Sequence, residues 1–321
     1  DIMRADPKRA HSTLEGWMTH DQAAAIFAAG GRDFAAEKQA ARRRGFRAYD
    51  LNATLSIAAN AKIERIVSHN VIGRIPGAGR AGELLMFGAH WDQDGIGDPD
   101  RDGDRVNHGA IDNASGVAMI LELARAWRLD KSSSRTVMFM ATTGEERGML
   151  GAEYYTAHPL YPLERTMALF NLDTSVGGGA AHDFSVFGNA CNTLVTYLEK
   201  AGAIRGRYRS PDLLAPVGTL YRADHFPFAR MGVPAITYGF GQDLVEGGRA
   251  RGAAWTADYF KNRYHQPKDR WSPDLNLDSV EPDLDLLYAA AREVANSTER
   301  PSWCPGSEFA IPRTISPAGS R

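Results

Sequence analysis

Five short segments of this chain carry imidazole or carboxylate groups of the kind that bind metal ions: Gly88-Ala89-His90-Trp91-Asp92, the stretch 109–116 around Asp112, the stretch 143–148 with Glu145 and Glu146, Asn171-Leu172-Asp173, and the stretch 264–269 with His265. In a strand or its extension, residues two apart point to the same side, so Asp92 is placed to orient His90 as a supporting group rather than to bind an ion itself. Asp112 falls at a tight turn before a helix, and its two oxygens can bridge two cations. Adjacent acids such as Glu145 and Glu146 repel one another, and a metal nearby would offset that cost. Imidazole and carboxylate without thiolate suit zinc, with manganese or cobalt as substitutes. The helical HExxH pattern of one-metal proteases and the GxSxG elbow of serine hydrolases are both absent from the sequence.

These groups need a scaffold that delivers them to one place. Leu84–Ala89 reads as a buried strand ending at His90, Thr136–Ala141 as one ending just before Glu145 and Glu146, and Met167–Leu172 as one ending at Asp173. Between the first two, Val117, Ile120, Leu121 and Ala124 recur at the spacing of one helix face, with Asn113 and Ser115 as polar groups suited to capping its start. A strand near Phe184–Phe187, a helix from Asn192 to Ala201, a strand at Val233–Tyr238 and a helix through Leu284–Val294 follow. This alternation predicts an α/β fold, a three-layer α/β/α sandwich with a central, mostly parallel mixed sheet, whose binding crevice lies at the carboxyl ends of the strands.

Residues 1–52 read as an amino-terminal helical extension, with a helix-like stretch from His20 to Arg43 whose closing basic run is a solvated face. Residues 53–300 form the main domain and 301–321 a tail. The run Gly177-Gly178-Gly179 lacks the spacing of a phosphate loop, and Asp98–Asp104 imitates the start of a calcium loop but meets Gly109 where a glutamate is needed, so it reads as a solvated insertion.

The 321 residues, 43% hydrophobic and 24% charged, suffice for one large α/β domain with a large buried core, and a net charge of -2 gives no footprint for nucleic acid or an anionic membrane. No apolar run is long enough to span a bilayer. The chain starts at Asp1, which fits a processed or trimmed amino end, and its two cysteines, Cys191 and Cys304, are either free thiols or one bridge closing a long loop.

Taken together, AHWD at 89–92, GAIDNASG at 109–116, TGEERGMLGAEYY at 143–155, NLD at 171–173, ADHFPFARMGVPA at 223–235 and YHQPKD at 264–269 resemble the two-zinc aminopeptidases of the bacterial leucyl aminopeptidase and glutamate carboxypeptidase superfamily, in order and spacing over roughly residues 53–297. The resemblance implies a zinc-dependent exopeptidase fold and two Zn2+ per chain: one held by His90 and Asp173, the other by Glu146 and His265, with Asp112 bridging and its bond to Asn113 cis. Glu145 is then the unligated general base, Asp92 supports His90, Asp224 is a structural or proton-handling residue, and Tyr221 lies near the position of a tyrosine that stabilises the tetrahedral intermediate. Many relatives carry a protease-associated domain ahead of the core, for which the segment before residue 53 is too short.

The implied substrate is a peptide, cleaved at its amino terminus. Its ammonium would meet the metal-site carboxylates or Asp243 and Glu246, while Tyr238, Phe240, Trp255 and Tyr259 would line an apolar side-chain pocket. The competing readings are a carboxypeptidase using Arg222, Arg249 or Arg251 as a carboxylate clamp, a glutaminyl cyclase-like transferase with one zinc, and a non-catalytic receptor-type domain. Export to the periplasm or the medium is expected from the start residue, the cysteine pair and the habits of relatives.

Overall fold

The computed structural model describes residues 16–54, 56–58, 60, 62, 64–130, 132–187 and 191–311. The chain divides at Val67/Ser68 into two compact units, later than the change of pattern at residue 53. In the first unit the stretch from His20 to Arg43 is two helices, α1 (His20–Ala29) and α2 (Phe34–Ala40). The break falls at Gly30-Gly31, where Gly31 takes φ 73, a conformation open mainly to glycine. Each helix has its own start signal: Thr19 and Gln22 form a reciprocal capping box for α1, and the Asp33 side chain accepts the Ala36 N–H for α2.

The second unit is built from β1 (Val71–Ile75), β2 (Arg80–His90), β3 (Gly95–Ile96), β4 (Val106–Asn107), α3 (Ser115–Asp130), β5 (Arg135–Thr142), α4 (Leu150–Ala157), β6 (Thr166–Leu172), β7 (Asp183–Phe187), α5 (Leu194–Ile204), β8 (Tyr208–Arg209), α6 (His225–Arg230), β9 (Ala235–Gly239), α7 (Gly248–Asn262) and α8 (Val280–Asn296). Among the described residues, seven strands form one sheet in the order β1-β5-β2-β6-β9-β7-β8. The pairs from β5 through β9 are parallel, while β1 on β5 and β7 on β9 run antiparallel, so the sheet is mixed as expected.

Side chains alternate across a strand, and β2 is apolar on both faces because helices cover both. Leu85, Phe87 and Ala89 join Leu123 and Trp127 of α3 and the α8 stripe on one side, whereas Leu84 and Met86 meet Ala152, Tyr155 and Phe228 from α4 and α6 on the other. Phe87 is stacked between its register partners Phe139 and Phe170 at 5.5 and 5.8 Å, which locks the three central strands together. In α8 the buried positions 283, 286, 287, 290, 291, 294 and 295 repeat at three- and four-residue steps, the mark of a helix laid flat on a core.

Two expectations shift. The buried face of α3 is Gly116, Met119, Ile120, Leu123 and Trp127, with Leu121 pointing outward at 65% exposure, because the helix begins at Ser115 and its phase is set there. The carboxy-terminal segment is packed rather than loose as far as it is described: Cys304 is bridged to Cys191, and Trp303 and Phe309 are buried against Ala229 of α6. The rest of the expected tail, 312–321, lies outside the described residues. The aspartate-rich insertion is the end of the β3-β4 hairpin, where the Asp100 carboxylate accepts the amides of Asp102 and Asp104. No described helix is long and apolar enough to cross a membrane.

Candidate metal centre

The carboxyl ends of three neighbouring strands, β5, β2 and β6, open into one crevice. His90 is the last residue of β2, Glu145 and Glu146 follow β5, and Asp173 follows β6. Asp112 and His265 arrive from outside the sheet and are placed by two separate devices.

The first device is the turn before α3. Gly109 takes φ 64, and the Asp112–Asn113 bond is cis, as the resemblance implies. Asn113 donates its side-chain amide to the carbonyl of Leu172 and accepts the Gly116 N–H, so the turn is hung on the end of β6. A Cβ on Gly116 would sit 2.5 Å from that carbonyl, which explains why the position is glycine. The second device is Asp269, whose buried carboxylate accepts the amides of Ile111 and Asp112 at 2.9 to 3.2 Å. His265, four residues earlier, is thereby tied to the Asp112 turn. Its backbone takes φ 54, unusual for a residue with a side chain, and the Tyr264 ring stacks on its imidazole at 3.8 Å.

All five ligand-type groups converge. His90 Nε2 lies 3.0 Å from Asp112 Oδ1 and 3.5 Å from Asp173 Oδ1, while His265 Nε2 lies 3.1 Å from both Asp112 Oδ2 and Glu146 Oε2. Asp112 thus turns one oxygen to each imidazole, the disposition of a carboxylate shared between two positions. His90 Nε2 and Glu146 Oε1 are buried without a hydrogen-bond partner, and such orphans are costly unless another group takes them up. Burial, followed by the neighbouring Asp112, pushes Glu146 up to about 8. Burial and then Asp173 raise Glu145 well above the usual carboxylate range. Burial opposes charge on Asp112 too, yet hydrogen bonds from His265 and His90 hold it down to about 2. Unpartnered ring and carboxylate atoms among crowded acids fit bound cations, which relieve the repulsion and use the free lone pairs.

The supporting residues differ in part from expectation. His90 Nδ1 faces the backbone carbonyl of Asp92 at 3.1 Å, and the Asp92 carboxylate is 3.8 Å away. That carboxylate instead accepts the amides of Glu145 at 3.1 Å and Glu146 at 3.4 Å, so Asp92 fixes the glutamate pair more directly than the imidazole. Asp224 is buried at the start of α6 and accepts the Thr142 hydroxyl. Burial pushes it up to about 7.

Sequence reasoning passed over Asp94, whose carboxylate lies 3.8 Å from His265 Nδ1 and groups with Glu146 and His265. It also gave Asp269 no role, although a carboxylate four residues after a ligand-type histidine was visible in YHQPKD.

Tyr238 and Phe240 do not line a pocket. Tyr238 is buried under the sheet, donates to Asp283 and stacks on Phe184, and Phe240 packs between Phe187 and Trp255. Trp255 and Tyr259 continue that stack at 5.4 Å. Aromatic residues look alike in sequence whether they face a crevice or the core behind it. Tyr221 is exposed and donates to Glu308. Asp243 accepts the Tyr208 hydroxyl of β8, and the exposed Glu246 pairs with Arg251 of α7. The concave space beside the centre is a cavity of about 510 Å³ bounded by Asp173, Phe187, Leu214, Val217, Phe260 and Tyr264 among others.

A mixed α/β sheet with a two-histidine, three-carboxylate cluster at its carboxyl edge defines a metal-centred α/β enzyme scaffold. Residues 70–286 match peptidase family M28, and the chain belongs to that family. It is 26% identical over 194 residues to aminopeptidase YwaD of Bacillus subtilis, covering 60% of this chain and 39% of that one. It is 30% identical over 136 residues to mouse aminopeptidase NAALADL1, covering 39% of this chain and 16% of that one. The chain therefore spans well under half the length of these curated relatives. Among solved structures, a Zn-dependent exopeptidase from Parabacteroides distasonis superposes with a TM-score of 0.50 at 20% identity, covering 71% of this chain and 77% of that one. The LapA aminopeptidase of Legionella pneumophila gives a TM-score of 0.50 at 21% identity over 72% and 56% of the two chains.

Proposed function

We propose that the chain is a zinc aminopeptidase that holds two ions, one by His90 and Asp173 and the other by Glu146 and His265, with Asp112 shared. The observation that carries this reading is the Asp112 carboxylate, one oxygen 3.0 Å from His90 Nε2 and the other 3.1 Å from His265 Nε2. Bound at these groups, zinc supplies Lewis acidity toward a peptide carbonyl and lowers the pKa of water.

Glu145 is the group that moves protons. Its amide is fixed by Asp92, its carboxyl is buried beside the cluster, and its raised affinity for a proton suits a base that takes one from water and returns it to the leaving amine. Asp173 is oriented by the Thr174 hydroxyl at 3.1 Å and lies on the rim of the cavity, which would receive the side chain of the amino-terminal residue. The apolar wall of that cavity supports a preference for apolar residues. The Cys191–Cys304 bridge supports an oxidising compartment, the periplasm or the medium.

Metal analysis with an assay of leucyl and phenylalanyl peptides tests the reading. Two metal equivalents and cleavage that stops when the amino terminus is acetylated are expected. One equivalent in fully active protein overturns the two-ion centre, and indifference to acetylation favours a carboxypeptidase or endopeptidase.

A further inference from the structure

One wall of the cavity beside Asp173 is the stretch 213–223, which contributes Leu213, Leu214, Val217, Thr219, Arg222 and Ala223. It holds no regular element longer than the three-residue turns Ala215–Val217 and Thr219–Tyr221, and no side chain from Leu213 to Arg222 is buried. Just before it, the Asp212 carboxylate accepts the Leu214 N–H at 2.8 Å and the Thr219 hydroxyl at 2.9 Å. A segment with so few buried contacts takes its shape from whatever holds its ends.

The far end of the wall meets a carboxy-terminal strap, residues 302–310. The Ser302 carbonyl accepts the Thr193 N–H and the Ser302 N–H donates to the Thr193 hydroxyl, both at 2.9 Å. The Cys304 N–H donates to the Cys191 carbonyl at 2.9 Å beside the bridge between the two, and the Trp303 indole donates to the Gly232 carbonyl at 3.2 Å. Anchored there, the strap turns at Gly306, where φ is 83, and delivers Glu308 and Phe309. Phe309 is 2% exposed and packs on Trp303 and Phe226, with ring centroids 5.0 and 6.1 Å apart, in a cluster that Leu220 joins. Glu308 accepts the Tyr221 hydroxyl at 2.8 Å, and the Tyr221 ring stands edge-on to Phe226 at 5.2 Å. Leu220 and Tyr221, just ahead of Arg222 and Ala223 in the wall, are thus gripped by the strap, while Asp224 beyond them is bonded to Thr142 at the end of β5. We propose that Phe309 and Glu308 are positioning residues for the substrate: through Leu220 and Tyr221 they fix the cavity wall, so a segment outside the cavity lining sets how tightly and how selectively the amino-terminal side chain is held. This rests on the aminopeptidase reading, which places that side chain in the cavity.

The test compares zinc-loaded wild type, Phe309→Ala, Phe309→Leu, Glu308→Ala and Glu308→Gln on leucyl-leucine and alanyl-leucine. Phe309→Ala raises KM for leucyl-leucine about tenfold with kcat and zinc content unchanged, as expected when ground-state contacts are loosened away from the metal site. It also shrinks the preference for leucyl over alanyl in kcat/KM about threefold, because the larger side chain loses more of the wall. Phe309→Leu restores most of both, and Glu308→Ala moves both the same way by less, with Glu308→Gln, which keeps an acceptor, close to wild type. Glu308 lies on the surface, so Glu308→Ala carries the same test if Phe309→Ala fails to fold. An alanine variant with unchanged KM and preference overturns the assignment of that residue, and a loss confined to kcat overturns the proposal.

Hydrogen exchange and calorimetry on a Glu145→Gln background separate this proposal from the aminopeptidase reading. Exchange of the amides between 213 and 222 rises about tenfold in Phe309→Ala while those of β2 and β6 keep their protection, and leucyl-leucine binds about tenfold more weakly. If wild type cleaves neither peptide yet these two shifts appear together, the positioning role stands and the activity falls. A wall whose exchange is unchanged in both alanine variants, or one that loosens with no change in peptide affinity, defeats the positioning role whatever the activity.

Discussion

The Asp92 carboxylate accepts the backbone N–H of Glu145 at 3.1 Å across 53 residues of sequence. A side chain at the end of β2 thereby fixes the start of the loop after β5, and the proposed base is positioned through its own main chain. Asp92→Ala is expected to lower kcat by roughly 10- to 100-fold, in line with losses on removing supporting groups at metal sites, whereas Asp92→Asn, which keeps an acceptor, loses less. Steady-state kinetics on both variants check this, and equal losses would mean that the charge, not the hydrogen bond, matters.

Glu145→Gln is expected to retain its metal and its fold yet lose about two or more orders of magnitude in turnover, since the amide cannot take the water proton. Metal content measured on the same sample as the rate decides it. Near-normal turnover removes Glu145 from the proposed role.

Asp269→Ala removes the acceptor of two buried amides, and leaving a buried donor unpaired costs about 1 to 3 kcal/mol each. Because those amides hold the Asp112 turn, zinc affinity is expected to fall along with stability. Competition with a chelator and chemical unfolding measure the two losses. Stability lost without any change in zinc affinity would show that the turn is fixed by Asn113 alone.

Asp94→Asn is expected to weaken retention of one metal equivalent about 10-fold and to leave the other, because the Asp94 carboxylate approaches His265 and Glu146 rather than His90. Zinc titration against a chelating dye separates the two equivalents. A loss of both together would show that the centre fills as a unit.

Burial holds the His225 imidazole down to about 4, with Nδ1 2.8 Å from the Thr237 hydroxyl and Nε2 unpartnered. The folded value lies below the unfolded one of 6.5, so the stability tied to the neutral ring is complete above pH 6.5 and is lost as pH falls toward 4, by up to about 3 kcal/mol. Urea unfolding between pH 7 and 4 should show that slope in the wild type and a shallower one in His225→Gln. The same slope in both proteins excludes His225 as its source.

The strands were legible because a sheet covered on both faces leaves unbroken apolar runs: β5 and β6 fell within one residue of expectation, and β2 ended within one but began four residues earlier, at Arg80, in a stretch that is not apolar. The five ligand-type residues were legible because each follows such a run or sits in a compact motif. Asp94 and the amide-binding role of Asp92 were not, since both depend on how the β3-β4 hairpin and the loop after β5 fold toward each other, which spacing does not encode. The aromatics at 238, 240, 255 and 259 misled because neither the strand period at Tyr238 nor the helix period at Trp255 and Tyr259 tells which face looks toward the crevice and which toward the core. The break in the amino-terminal helices was written in Gly30-Gly31 and was overridden by the run of alanines around it.

The bridge between Cys191 and Cys304 closes a covalent ring that contains Arg222, Asp224 and His265 but leaves His90, Asp112, Glu146 and Asp173 on the open amino-terminal arm. The proposed centre is thus shared between the arm and the ring, and one cut in any surface loop between the two cysteines cannot release the segment that brings His265. Only a cut on the arm between Asp173 and Cys191 separates the two groups in one step; inside the ring a protease would have to cleave twice, or find a reductant, to free the segment that brings His265. On a gel, protein nicked once between the two cysteines would run as one band until thiol is added, so intactness judged without reductant would overstate how much of that segment is unbroken.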